Sequence, residues 1–275
     1  MPSPRRPHAG EVDRIPFRPM RTMLPGSPMA PGSGPVSMAY RDVGVGPPLL
    51  VLHGGWGARF YPFADVAGHR MLLPDRTGYG ASSRVEEFPR PFHPAAQAEA
   101  ELFLDALGIT RCALWGHSDG AVVAARMAIA DPSRYSAVIL EAVHFDCAKP
   151  SSRAFFETMV EDPDAFGKRA VGKLAADHGA AWRTPLRADG RAWIDIARTP
   201  SFDLYDGRLS ELHVRTLAIH GSLDPRTEPG ELERLRATAP QVGLHMIAGA
   251  RHSPHSERSS AAECLRVATE FLARA

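Results

Sequence analysis

From Val36 onward, short apolar runs alternate with stretches of helical periodicity, a rhythm that few folds accommodate. The runs Leu49 to His53, Arg70 to Pro74, Cys112 to Gly116, Ala137 to Glu141, Thr216 to His220 and Gly243 to Ala248 suit buried strands. Helical patterns cover Ala95 to Leu107, Gly120 to Ala130, Gly230 to Ala239 and Ser259 to Ala273. Strands separated by helices build repeated βα units, so the expected class is α/β, with a mostly parallel central sheet flanked by helices. Between about Phe145 and Leu209 the alternation gives way to helical, Pro-punctuated sequence carrying Phe155, Phe156, Trp182, Trp193 and Phe202. The expected organisation is therefore a core of residues 36–144 and 210–275 with a helical lid, residues 145–209, inserted over one end of the sheet.

Residues 1–35 hold 9 of the 25 prolines and show neither period, so a loosely packed Pro-rich N-terminal extension is expected there. Met20, Met23, Met29 and Met38 leave the position of the true start open. The chain of 275 residues is 44% apolar, enough for a substantial core. Lys and Arg number 32 against 31 Asp and Glu, and a net charge of +1 gives no overall pull toward nucleic acid or an anionic membrane. No stretch approaches the roughly 18 uninterrupted apolar residues of a membrane span. Three cysteines, Cys112, Cys147 and Cys264, are too few for a disulfide framework and odd in number, which favours a reducing, cytoplasmic setting.

The segment CALWGHSDGAVVAARMAIA carries the chemistry. A short strand runs into Gly116-His117-Ser118-Asp119-Gly120 and then into a helix rich in small residues. This G-x-S-x-G form suits a very tight strand-to-helix turn that exposes the Ser hydroxyl, with glycines on both sides because a Cβ would clash. Alone the pattern is weak, since Gly and Ser are common here, but its context strengthens it. His53-Gly54-Gly55-Trp56 follows the run PLLVL, where a Gly-rich loop can aim backbone N–H groups at an oxyanion. Asp224 in HGSLDP and His252 in AGARHSPHSE each lie just beyond a strand, at the sheet end where open α/β sheets place ligands. The order Ser118, Asp224, His252 is the one expected when the nucleophile sits on such an elbow.

Taken together, LLVLHGG, DRTGYGASS, GHSDGA, IHGSLDP and HSPHSE resemble the α/β-hydrolase superfamily from about Val36 to the C-terminus. GHSDG followed by HSPH looks like a bacterial carboxylesterase-type branch, and the Ser-Asp-Gly elbow is similar to that of valacyclovir hydrolase-like enzymes. The resemblance implies an α/β-hydrolase fold, no cofactor and a small-molecule ester as partner. It also implies that the first histidine of HSPH belongs to the triad, ahead of His255. Two positions depart from the pattern: Arg251 stands where Gly usually precedes the catalytic His, and Ala121 replaces a second Gly. Arg251 either alters the loop or places a cation near the site.

On this reading Ser118 is the nucleophile, His252 its general base and Asp224 the carboxylate that orients the imidazole. Backbone N–H groups of Asp119 and of Gly55 or Trp56 would hold the tetrahedral oxyanion. Asp119 has two readings, a receptor for a cationic substrate group or a first-turn acid favoured by the helix dipole. His144 and Phe145 are expected on the pocket floor or at a lid hinge, and Trp56, Trp182 and Trp193 around an acyl pocket. His53 and His117 read as structural. Glu141 is the rival acid and His255 the rival base, and His255 with His252 lacks the third ligand of a metal site, so none is expected. Carbon–carbon hydrolysis, acyl transfer and perhydrolysis can use the same triad, and a non-catalytic ligand-binding homologue can keep the same fold. Epoxide or halide chemistry on this fold would need Asp at position 118. Neither a phosphate-binding G-x-x-x-x-G-K-[ST] nor a G-x-G-x-x-G after the first strand is present.

Overall fold

The computed structural model describes residues 19–199 and 201–274. One eight-stranded sheet organises them, with strands β1 (Met20–Leu24), β2 (Val36–Val43), β3 (Pro48–Leu52), β4 (Arg70–Pro74), β5 (Cys112–His117), β6 (Tyr135–Glu141), β7 (Thr216–Gly221) and β8 (Gly243–Ile247). Their spatial order is β1-β2-β4-β3-β5-β6-β7-β8; β1, β2 and β4 pair antiparallel, and every other neighbouring pair is parallel.

The helices that connect the parallel strands cover both faces. In β3, Leu50 and Leu52 join the cluster that holds Phe103 and Leu104 of α1 (Phe92–Ala106) and Val122 and Val123 of α2 (Asp119–Ala130). Leu49 and Val51 point the other way, into the cluster that holds Val267 and Leu272 of the C-terminal helix, Ala261–Leu272. Because both faces are covered, the strand reads as an unbroken apolar run. Each such Leu or Val removed from water contributes about 1.5–3 kcal/mol. Three further helices, α3 (Arg153–Glu161), α4 (Gly167–His178) and α5 (Arg183–Ile196), lie between β6 and β7, and α6 (Glu231–Thr238) lies between β7 and β8. The C-terminal helix is thus α7.

The N-terminal segment corrects the sequence reading. Met20–Leu24 pairs with β2, Leu24 opposite Val36, and Leu24 and Met29 are fully buried. Ser27 bonds to the buried Glu99 carboxylate and accepts the Met29 N–H at 2.9 Å. Residues 20–30 are therefore tied to the folded domain, with Leu24, Ser27, Met29 and Ala30 buried, while residues 31–35 are exposed and residues 1–18 of the expected extension lie outside the described residues. As an edge strand β1 buries only Leu24 fully, so its sequence has little hydrophobic period to display.

Candidate active site

The elbow is built by backbone contact. Ser118 stands between β5 and α2 with φ +54° and ψ −118°, a left-handed conformation that costs a non-glycine residue about 1–3 kcal/mol. The turn closes so tightly that a Cβ on Gly116 would overlap the Gly120 carbonyl, and one on Gly120 would overlap that of Leu52. This is why glycine flanks the serine on both sides. The Ser118 N–H is tied to the Glu141 carbonyl at 2.9 Å, locking β5 to β6 at the turn.

Two loops at the same end of the sheet bring up the other groups. The Ser118 Oγ lies 3.0 Å from His252 Nε2, and His252 Nδ1 lies 2.9 Å and 3.0 Å from the two Asp224 oxygens. Asp224 also accepts the Arg226 N–H at 2.8 Å. Burial alone would favour the neutral acid, but the His252 and His220 rings and that N–H hold the Asp224 carboxyl well below the usual carboxylate range. It is therefore ionised and oriented to accept an Nδ1 proton, which leaves Nε2 free to accept from Ser118.

The His252 turn is braced from beneath. Burial pushes His117 down to about 3, so the ring is neutral, and its Nε2 donates to the His252 carbonyl at 2.9 Å. Glu141 takes the Trp115 Nε1–H at 3.0 Å, the His255 N–H at 2.9 Å and the His255 ring at 2.7 Å. Although burial opposes it, the His255 ring and main chain hold Glu141 down at about 2. His255 places its other nitrogen on the Tyr61 carbonyl at 3.0 Å and stacks on Phe63 with centroids 3.9 Å apart. His117, Glu141 and His255 bring ligand-type atoms within 4.8 Å of one another, but all three residues are engaged in these bonds. The rival acid and the rival base thus pair with each other, away from Ser118.

The remaining expected residues are partly reassigned. The Gly-rich loop after β3 lies against the nucleophile: a Cβ on Gly54 would stand 3.0 Å from the Ser118 Cβ. Gly55, Trp56, Asp119, His144 and Trp193 all line a cavity of about 630 Å³ that ends at Ser118. Phe145 does not line it. Successive residues of an extended chain point to opposite sides, and with His144 facing Ser118, Phe145 packs on Phe202 and Tyr205. Trp182 is also outside the cavity wall, buried beneath the Arg183 guanidinium. His144 comes closer to the serine than expected, its Nε2 3.4 Å from the Oγ, and burial keeps its ring neutral.

Asp119 is nearly fully buried, and one oxygen of its carboxylate is committed to the protein. Oδ1 accepts the Trp193 Nε1–H at 2.9 Å and faces His93 Nε2 at 3.3 Å. Its other neighbour is Asp189 of α5, which sequence reasoning missed. Burial favours neutral acids here, but His93 and the Arg76 guanidinium keep Asp119 ionised. Burial and the Asp119 charge push Asp189 well above its ordinary value, and the Tyr79 O–H donates to its Oδ1 at 3.2 Å. The two carboxyl groups therefore share one proton. This network ties α5 to the elbow through Asp119 Oδ1, whereas Asp119 Oδ2 has no hydrogen-bond partner among the described residues and Asp119 lines the cavity, so Asp119 has a structural role and keeps one carboxylate oxygen open to a ligand. A sequence signal for Asp189 did exist, because it interrupts the buried stripe of Leu186, Ala192 and Trp193 on α5.

Comparison with known proteins places this architecture. Residues 49–266 match the alpha/beta hydrolase family. An epoxide hydrolase of Caballeronia sordidicola is 29% identical over 187 residues, 60% of this chain but little more than half of that protein, at 55%. An sn-1-specific diacylglycerol lipase of Xenopus laevis is 24% identical over 250 residues, 78% of this chain and 77% of the lipase. Among solved structures, a thermophilic esterase from Thermogutta terrifontis superposes with a TM-score of 0.68 at 20% identity, over 94% of this chain and 99% of that one. The match spans strands β3 to β8 with the elbow and both loops that meet it, and the chain belongs to the alpha/beta hydrolase family.

Proposed function

We propose that the protein is a serine hydrolase that cleaves a small carboxylic ester, thioester or lactone through an acyl-enzyme. The observation that carries this reading is the line of contacts from Ser118 Oγ to His252 Nε2, at 3.0 Å, and from His252 Nδ1 to Asp224. Ser118 attacks the carbonyl carbon while His252 takes its proton, and Asp224 stabilises the imidazolium that forms. The negative charge that develops on the carbonyl oxygen falls near the first N–H of α2, at Asp119, which has no intrahelical acceptor. The N–H of Gly55 or Trp56 serves as the second donor. His252 returns the proton to the leaving oxygen, and water then repeats the sequence to release the acid.

A serine at position 118 separates this chemistry from the aspartate ester that epoxide or halide displacement on this fold requires. Trp56 and Trp193 each stack on a phenylalanine of α3, with centroids 5.6 Å from Phe155 and 5.2 Å from Phe156 respectively, and give the cavity an apolar wall for the acyl group. The test is labelling with a fluorophosphonate, with the adduct located by peptide mass spectrometry. A single adduct on Ser118 that disappears in Ser118→Ala is expected. A folded protein that takes no label, or a Ser118→Ala variant that hydrolyses esters at the wild-type rate, rejects the reading.

A further inference from the structure

The mouth of the Ser118 cavity is cationic. Arg169 and Lys173 stand one turn apart on α4, Arg226 follows Asp224 by two residues, and Arg251 and Arg258 flank the His252 turn; all five line the cavity. Arg169, Lys173, Arg251 and Arg258 are exposed, whereas Arg226 is partly buried, its guanidinium carbon 3.4 Å from the Phe155 ring centroid. Among the described residues none of the five has a carboxylate oxygen within 4.0 Å; Lys173 donates only to the Phe60 carbonyl, at 3.2 Å. The one acid at this level, Glu257, spends its oxygens on the N–H groups of Arg251 and Ser253, at 2.8 Å and 2.9 Å. Deeper in, Asp119 and Asp189 share a proton beside Arg76. A chain whose net charge is +1 thus concentrates unpaired positive charge at the entrance to one cleft.

Low-dielectric walls focus such a field and raise the local concentration of an oppositely charged substrate. His252 must reach the leaving oxygen to protonate it, so the leaving group lies on the His252 side of the cavity. Arg226, Arg251 and Arg258 sit on the two loops that carry Asp224 and His252. We propose that the substrate bears a carboxylate on its leaving-group side, held by Arg226 and Arg251 and drawn in by Arg169, Lys173 and Arg258. This substrate class rests on the serine hydrolase reading above. The planar guanidinium forks of Arg226 and Arg251 match a carboxylate geometrically as well as in charge.

The test compares 4-acetoxybenzoate, its neutral methyl ester and the cationic (4-acetoxybenzyl)trimethylammonium ester, each kcat/KM being divided by that ester's rate with hydroxide. At about 10 mM ionic strength the carboxylate ester is expected to exceed the methyl ester about tenfold, with the ammonium ester slowest. Raising the salt to about 150 mM shortens the Debye length from about 30 Å to about 8 Å and should shrink that ratio severalfold. Arg251→Gly, Arg226→Gln and the double variant Arg169→Gln, Lys173→Gln should each lower the ratio, and Arg226→Lys should retain more of it than Arg226→Gln. Exposed α4 keeps the test sound if Arg226→Gln disturbs the Asp224 loop. A ratio near one, a ratio insensitive to salt, or preference for the ammonium ester overturns the proposal while methyl ester turnover leaves the hydrolase reading standing. If a carboxylate helps only on the acyl side, as in mono-4-nitrophenyl glutarate against 4-nitrophenyl pentanoate, the leaving-group placement is wrong. No turnover of any ester and no fluorophosphonate adduct would remove the hydrolase reading and this inference with it.

Discussion

Glu141 gives a quantitative handle on how the His252 turn is held. Its carboxylate is fully buried and takes two N–H bonds from His255 and one from Trp115. A fall in pKa from 4.5 to about 2, at about 1.4 kcal/mol for each tenfold change in proton affinity, means that the folded state favours the ionised form by about 3 kcal/mol. Because the folded value lies below the unfolded one, this contribution is complete above pH 4.5 and is lost as the pH falls toward about 2. Glu141→Gln turns an NH₂ group toward donors that had an acceptor, and should cost about 3 kcal/mol at pH 7. Urea unfolding of both proteins at pH 7 and at pH 3 measures it. The wild type should lose stability between those values through this group, and the variant should lack that part of the loss. Its kcat should also fall, because His255 and the His252 carbonyl are fixed by the same cluster. A variant within about 0.5 kcal/mol of wild type, with the same acid profile, would refute the reasoning, since surface substitutions alone stay in that range.

Asp224→Asn should lower kcat by about 10³–10⁴-fold with the fold intact, because an amide cannot hold the His252 tautomer that frees Nε2; steady-state ester hydrolysis checks this. Ser118→Gly and Ser118→Ala should both abolish turnover, yet differ in stability. Glycine relieves left-handed strain of about 1–3 kcal/mol and gives back about 0.5–1 kcal/mol in chain entropy, so it should be the more stable variant by about 1 kcal/mol in thermal unfolding. Asp189, raised in pKa by its surroundings, contributes stability at low pH that is lost as pH climbs above the ordinary carboxylate range. Asp189→Asn keeps a donor toward Asp119 without that liability, so unfolding measured from pH 4 to pH 9 should show the variant gaining on the wild type as pH rises, whereas parallel curves would contradict the shared proton.

What the sequence displayed and what it hid differ in physical kind. The elbow was legible because its constraint is local: Gly116 and Gly120 are set by backbone atoms a few residues away or on the adjacent strand. Asp224 and His252 were legible because strand ends are, and each follows an apolar run directly. The antiparallel edge was not, since β1 has one fully buried side chain among five and sits between prolines. Phe145 was misplaced because sequence order alone does not say which of two adjacent residues faces inward. The partners of Asp119 were hidden because they arrive from elsewhere, His93 from α1 and Trp193 from α5, with Asp189 beside them. The cationic mouth belongs to the same class. Arg251 stood out as a departure beside the histidine, but nothing local separates Arg169 or Lys173 from any solvated helical face. Only the fold, which sets α4 and the loops after β7 and β8 around one cavity, turns three separate basic segments into one field, and a field of that kind acts on substrate charge without any of its members touching the reacting carbonyl.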